Sequence, residues 1–583
     1  LEFTEKTKLG NVLSNKEARG ILETHIPQLF ELMLDPALGT FIRFGNLEQL
    51  ASFIPELTVT PDVVSALQKE LANVIEESED ISNLGPKANY EDESVVIGGA
   101  AIKVPDHAEK WGVFEVELKG PNHGNPFIDV ELSAEFHFED RTIETRGFYD
   151  GEGVYRIRFM PDTEGKWAFR TKSTARSLDR IEGHFVCTEA LEGNHGPVRV
   201  KNTFHFAYED GTKYIPIGTT CYAWTHQEEN LMKQTLETLE VSPFNKMRMC
   251  IFPKSYLYNT NEPSHYPFEG SVAEGWDVTR FNPLFFQYLE QRIIELGKLG
   301  IEADLILFHP YDRWGFADMK KSADDRYLRY IVARLSAYRH VWWSLANEYD
   351  LMWSKETDDW ERFAKIIKEN DPYAHLISIH NCLQFYDYNR PWITHCSVQR
   401  IDVYKTAEST DEWRKQWNKP IVIDECAYEG DIDQGWGNIT GEEMTRRFWE
   451  GALRGGYVGH GETYLRSDEV LWWSKGGKLH GSSPERIRFL RNIMEEGPKD
   501  GLNTMNLSWD APAAGIPDEY YLFYYGFYQP RFREYRMKPG VKYKVEVIDT
   551  WNMTISELNG TFEERFRIKL PGQQYMAVRM TRV

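Results

Sequence analysis

HVWWSLANEYDLMW, residues 340–353, changes character at its centre. Val341 to Ala346 is a short apolar run of the kind found in a strand buried inside a parallel sheet. Asn347 and Glu348 follow at once, an amide and a carboxylate side by side. Polar residues at a strand end can simply meet water. They can also stand at the mouth of a barrel, where the carboxyl ends of the strands carry the chemistry.

Seven further stretches share this grammar: KYIPIGTT (213–220), FNKMRMCIF (244–252), EADLILFHP (302–310), HLISIHN (375–381), THCSVQR (394–400), PIVIDECA (420–427) and GYVGHGETY (456–464). Helix-length segments separate them. FFQYLEQRIIELGKLG (285–300), RYLRYIVARLSAYR (326–339) and DWERFAKIIKEN (359–370) carry helical periodicity. Eight strand-then-helix units predict a (β/α)8 barrel over residues 193–501, an α/β fold.

The flanks read differently. Residues 1–88 predict a helical domain. Ser14 and Glu17 have capping-box spacing, followed by Ile21, Leu22, Ile26 and Leu29. Thr60-Pro61 starts a second helix with Val64, Leu67, Leu71, Val74 and Ile75 on one face. Packing or self-association is the role expected of these helices, so a homo-oligomer is one expected partner state. Residues 89–192 alternate with period two: Val130, Leu132, Ala134, Phe136 and Phe138 share one face, and turns such as PDTEGK (161–166) separate the strands. An antiparallel β-sandwich is expected there, and a second one over 502–583.

Composition narrows the function. The chain has 583 residues and a net charge of −23, a surface that repels nucleic acid and anionic membranes. No run approaches the roughly 18 apolar residues of a membrane span. None of the six cysteines forms a CxxC pair, so no metal or redox cofactor is expected and buried free thiols in a reducing compartment fit best. The first residues, LEFTEKTKLG, lack the basic and apolar regions of a signal peptide. The expected location is cytoplasmic.

Polar residues at the strand ends form the candidate site: Arg248, His309, Asn347, Glu348, His380, Asn381, Gln399, Glu425, His460 and Glu462. Glu348 and Glu425 close the fourth and seventh strands, on opposite sides of an eight-stranded barrel. Two facing carboxyls are what glycosidic cleavage needs, one to protonate the leaving oxygen and one to attack or assist at the anomeric carbon. Glu429 and Glu462 are rivals for the second carboxylate. Asp424 is expected to point away by strand alternation. Trp342 and Trp343 are expected to pack in or around the barrel. Trp472 or Trp473 could floor a sugar site, and Trp224 and His226 follow the first strand as substrate contacts.

These residues resemble the clan A retaining glycoside hydrolases, whose fourth strand ends in Asn-Glu and whose seventh ends in Glu. FNKMRM (244–249) is similar to the second strand of family 5 enzymes and LILFHP (305–310) to their third. NEYDLMW (347–353), WWSKGGKLHGSSPERIRFL (472–490) and the flanking β regions together resemble apiosidase-like bacterial glycosidases over residues 90–583. The resemblance implies a retaining mechanism without cofactor on a carbohydrate substrate. It makes Glu348 the general acid/base with a pKa raised by burial and Glu425 the nucleophile. Asn347 would bind the hydroxyl beside the anomeric carbon, Arg248 would keep Glu425 ionised, and His309 and His380 would contact hydroxyls or orient the carboxylates, with Gln399 and Trp472 near the substrate. Long loops and flanking sandwiches favour exo action on oligosaccharides. A non-catalytic carbohydrate-binding or scaffold protein is the alternative. A metal-dependent hydrolase using His309 and His380 is a third reading, but it lacks an HxH pair at the first strand.

Overall fold

The computed structural model describes residues 1–583 except 14, 76–80, 353 and 400–404. Ser14, Trp353 and Arg400 therefore lie outside the described residues. The chain divides into two compact units. One comprises Leu1–Gly196, Cys250–Ile294 and Leu305–His375, the other Pro197–Met249, Glu295–Asp304 and Leu376–Val583.

The strand-then-helix alternation yields one eight-stranded sheet. Its strands are β1 (Gly218–Thr220), β2 (Lys246–Cys250), β3 (Glu302–Phe308), β4 (Val341–Ala346), β5 (Ile377–Ser378), β6 (Cys396–Gln399), β7 (Ile421–Glu425) and β8 (Tyr457–His460). The order is β5-β4-β3-β2-β1-β8-β7-β6, so neighbours in sequence are neighbours in the sheet. β1 runs parallel to β2 and β8, and β7 runs parallel to β6 and β8. A parallel bridge between His380 and Ser397 joins the two ends of the order, giving a nearly closed (β/α)8 barrel. Residues of β4 are buried without alternation, Trp342 and Trp343 included, because both faces of a barrel strand are covered. One expected helix is missing. Residues 379–395, between β5 and β6, form no helix; Asp387, Asn389 and Pro391 load that segment with turn formers.

In the first unit, among the described residues, six helices lie between Leu9 and Leu71 around a core that includes Leu22, Ile26, Leu29, Leu67 and Leu71. Thr60 caps the helix Pro61–Leu71 as the sequence suggests, accepting from the Val63 N–H, with Pro61 in the first turn. The helix Lys16–His25 is capped by Asn15, which accepts from the Ala18 N–H. Ile75 was expected on the buried face but is 80% exposed, because the helix stops at Leu71. The eight strands between Ala101 and Thr188 form one sheet, not two. Strand Arg141–Tyr149 pairs through its first half with Leu132–Phe138 and through Gly147–Tyr149 with Val154–Phe159, carrying the sheet round a corner. At that corner a Cβ on Gly147 would fall 2.8 Å from both Ile157 and Leu132. The two arms then face each other like a sandwich, with Phe114 stacked on Phe185 at 3.8 Å.

A buried ion cluster fastens this sheet to two barrel helices. Arg158 and Arg334 both grip Glu290, and Arg334 also donates to Asp150 at 2.7 Å. Glu290 lies on helix Pro283–Lys298 and Arg334 on helix Lys321–Leu335. In the second unit, the residues after 503 form a six-stranded and a two-stranded sheet around Tyr521, Phe523, Tyr543 and Val578. Among the described residues no disulfide forms, and five of the six cysteines are buried. No helix among the described residues is long and apolar enough to cross a membrane.

Candidate active site

In the second unit the site is built around Glu425, the last residue of β7. Lys246 and Arg248 are two apart on β2 and so share one face. Arg248 donates to Glu425 Oε1 at 3.0 Å and to the Tyr222 hydroxyl at 2.7 Å, and it is 1% exposed. Two effects oppose each other at Glu425. Burial pushes its carboxyl up, to about 8. The guanidinium 3.0 Å away favours the charged form. The ion pair is the stronger effect, because guanidinium and carboxylate meet in a charge-assisted hydrogen bond.

Asp424 does not point away. It reaches Lys246 Nζ at 2.8 Å, one pleat from Arg248, and it accepts from Ser397 Oγ at 2.5 Å. The reason is a register shift. Val398 pairs with Ile423, but Gln399 pairs with Glu425, so two residues of β7 answer one of β6. Such a bulge suspends the alternation and re-aims a side chain. Lys246 also holds Asp304 at 2.7 Å. Burial works to raise Asp424, but Lys246 and Arg248 more than reverse it and hold the carboxyl below its usual range. His380 completes the group. Its Nδ1 is 3.1 Å from Ser397 Oγ, its Nε2 3.2 Å from Gln399 Oε1 and 3.8 Å from Glu425 Oε1. Burial, then the Arg248 charge, push its pKa well below the ordinary value, so the ring is neutral.

Aromatic rings stand beside this group. Trp473 meets Tyr222 edge-on at 5.5 Å, Tyr428 at 6.0 Å and Trp436 at 4.8 Å. Backbone bonds from Tyr222 and Ala223 to Trp473 and Ser474 tie the loops after β1 and β8 together. Trp472, the other candidate, is a barrel packing residue. Its indole donates to Thr219 Oγ1 at 2.9 Å, the same hydroxyl that His460 Nδ1 meets at 2.8 Å, and it is 1% exposed. Trp224 and His226 lie on one buried 3-10 turn after β1.

Glu429 and Glu462 are occupied elsewhere. Glu429 accepts from the N–H groups of Ser482 and Ser483, at the start of helix Ser483–Glu496, and from the Tyr464 hydroxyl. Glu462 accepts from the N–H groups of His480 and Gly481. With His460 they form the one His/Glu cluster among the described residues that is close enough to hold a metal ion, but these bonds already engage both carboxylates.

In the first unit, Asn347 and Glu348 follow β4 and are 2% and 6% exposed. Glu348 takes a left-handed backbone, φ 54° and ψ 56°, a costly conformation for a residue with a side chain. The Tyr311 hydroxyl donates to Glu348 Oε2, and Asn347 Nδ2 lies 3.5 Å from the same oxygen. His309 was expected to contact a sugar hydroxyl or orient a carboxylate. Its Nε2 donates to the Phe252 carbonyl at 3.1 Å and its Nδ1 accepts from the Tyr311 N–H at 3.2 Å. Both ring nitrogens thus meet backbone groups, one of them the Tyr311 N–H. Sequence reasoning missed Tyr222 and Tyr311. Each lies in a loop two residues beyond a strand-end position, Thr220 or His309, where a tyrosine carries no pattern of its own.

Residues 200–499 match the model described as "Apiosidase-like, catalytic domain". Residues 107–174 and 509–581 match two domains of unknown function, DUF5060 and DUF5605. The crystal structure of a candidate glycoside hydrolase from Bacteroides vulgatus ATCC 8482 is 40% identical, with a TM-score of 0.79 over 82% of this chain and 100% of that one. A glycoside hydrolase family 5 structure from the same organism is 15% identical, with a TM-score of 0.54 over 67% of this chain and 94% of that one, a likeness of fold. No curated protein sequence matches the chain. Barrel, flanking sheets and relatives together define the glycoside hydrolase class. Within it, the chain belongs to the apiosidase-like family.

Proposed function

We propose that the protein is a retaining exo-glycosidase acting on a terminal sugar of an oligosaccharide or glycoside. The observation that carries this reading is the Arg248–Glu425 ion pair at the end of β7, in a barrel whose fourth strand ends in Asn347-Glu348. Glu425 is the nucleophile, positioned and kept charged by Arg248. It attacks the anomeric carbon while Glu348 protonates the departing oxygen, leaving a glycosyl ester on Glu425. Water then attacks the same carbon as Glu348 takes its proton, releasing the sugar with retained configuration and restoring both carboxyls. Double displacement requires the two carboxyls about 5–5.5 Å apart. Asn347 binds the hydroxyl beside the reacting carbon, and Trp473 with Tyr222 offers the apolar face of the sugar a wall. The burial of five of the six cysteines supports a reducing, cytoplasmic location.

A panel of aryl pentofuranosides, hexopyranosides and deoxyglycosides identifies the sugar. On the best of them, azide separates the two roles. Glu348→Ala still forms the ester when the leaving group is good, and azide, needing no base, restores turnover and gives a glycosyl azide of retained configuration. Glu425→Ala forms no ester, and azide entering the vacated space gives the inverted product. The opposite pairing of anomers reverses the roles. Near wild-type activity in both variants rejects the site.

A further inference from the structure

The polar chain beneath Glu425 determines where one proton sits. Asp424 is ionised and, as a carboxylate, only accepts hydrogen bonds. Ser397 Oγ, 2.5 Å away, therefore directs its single hydrogen to Asp424 Oδ2. That leaves Ser397 only lone pairs for His380 Nδ1 at 3.1 Å, so Nδ1 must carry the imidazole proton. A neutral ring holds one N–H, and the other nitrogen is bare. Gln399 faces Nε2 at 3.2 Å, and exchanging the oxygen and nitrogen of its carboxamide gives the bare nitrogen an N–H donor and the Cys382 thiol, 4.0 Å from the other end, an acceptor.

We infer that Asp424 and Ser397 are positioning residues that lock His380 in the Nδ1–H tautomer, so that a bare Nε2 faces Glu425 and the sugar. The consequence rests on the proposed nucleophile. A proton on Nε2 would sit between two acceptors, Gln399 Oε1 at 3.2 Å and Glu425 Oε1 at 3.8 Å, and its charge would work against the oxygen that has to attack. With Nε2 bare, the nucleophile keeps its charge, and the one lone pair of Nε2 accepts from the Gln399 NH2. The β7 bulge makes this possible, because it places Asp424 and Glu425 on the same side of the sheet, one for the proton relay and one for the reaction.

The test reads the tautomer directly. In protein labelled with 15N-histidine, long-range proton–nitrogen correlation should show a neutral imidazole, absent from His380→Gln, whose proton is on Nδ1. Asp424→Asn reverses the chain: the new NH2 donates to Ser397, Ser397 donates to Nδ1, and the proton moves to Nε2. Lys246 keeps Asp304 as its partner in that variant. kcat should fall about 10²–10³-fold with KM within about threefold, as for a wrong tautomer beside a nucleophile. Ser397→Thr, which keeps the hydroxyl, should hold the wild-type tautomer and most of the activity, whereas Ser397→Ala should lose both. A proton on Nε2 in the wild type overturns the inference, and so does an Asp424→Asn protein with an unmoved tautomer. Should Asp424→Asn fail to fold, the wild-type spectrum and the Ser397 pair still decide. If the tautomer is as stated while Glu425→Ala stays active, the nucleophile assignment fails and the relay stands.

Discussion

Glu348 carries two marks that set it apart from a solvated strand-end acid: a left-handed backbone and a phenol aimed at one of its oxygens. The phenol belongs to Tyr311, whose backbone N–H donates to His309 Nδ1 and whose ring centre lies 4.6 Å from the Lys254 ammonium. As the proposed general acid, Glu348 must keep its proton aligned with the leaving oxygen, so Tyr311→Phe should act on that step. The expected effect is a fall in kcat/KM of about tenfold on glycosides with poor leaving groups, at the low end of the scale for acid catalysis. It should be near zero on activated aryl glycosides, where protonation matters little. A loss independent of the leaving group would assign Tyr311 to folding instead. Glu425 was legible in the chain because it closes the strand that opens with the apolar run Ile421–Ile423, and Arg248 because FNKMRM (244–249) is similar to the second strand of family 5 enzymes. Tyr311 was not, because the chain shows no reason for a tyrosine to turn back onto a residue 37 positions away.

Among the elements, the corner-turning sheet in the first unit depends on charge as much as on apolar packing. Glu290 takes both guanidiniums, and although burial raises its pKa, Arg158 and Arg334 lower it further than that. Glu290→Gln leaves two buried cations facing a neutral amide. Breaking a buried pair in this way costs about 3–5 kcal/mol, and a shift of that size should appear in the urea midpoint of a fluorescence-monitored transition. A change below about 1 kcal/mol would mean that water reaches the cluster, as it does at surface pairs. The bulge in β7 belongs to this scale too. Period-two reading sends Asp424 away from Glu425, and the reading failed because a register shift is a property of two strands, invisible in either one.

At the scale of the whole molecule, buried neutral histidines make stability depend on pH. His395, 2% exposed, is pushed down to about 3 by burial. Its folded pKa lies below the ordinary value of about 6.5. As pH falls from about 6.5 to about 3, the unfolded chain gains a proton that the folded one refuses, so this contribution to stability is lost across that window. Relative to His395→Asn, the wild type should lose about 1.4 kcal/mol per pH unit there, read from urea midpoints at stepped pH. Parallel slopes for the two proteins would show that the ring is not buried neutral. The amino-acid pattern by itself determined the barrel, its strand order and the two strand-end glutamates, because buried strands need continuous apolar runs and parallel neighbours need helix-length crossovers. Only the tertiary structure decided which nearby polar residues serve that site. Glu429 and Glu462 cap a helix and a loop, Trp472 packs inside while Trp473 stands beside Tyr222, and Asp424 turns inward. Each outcome depends on which donors and rings the fold brings to within about 3–6 Å, a proximity between distant positions that periodicity along one chain does not encode.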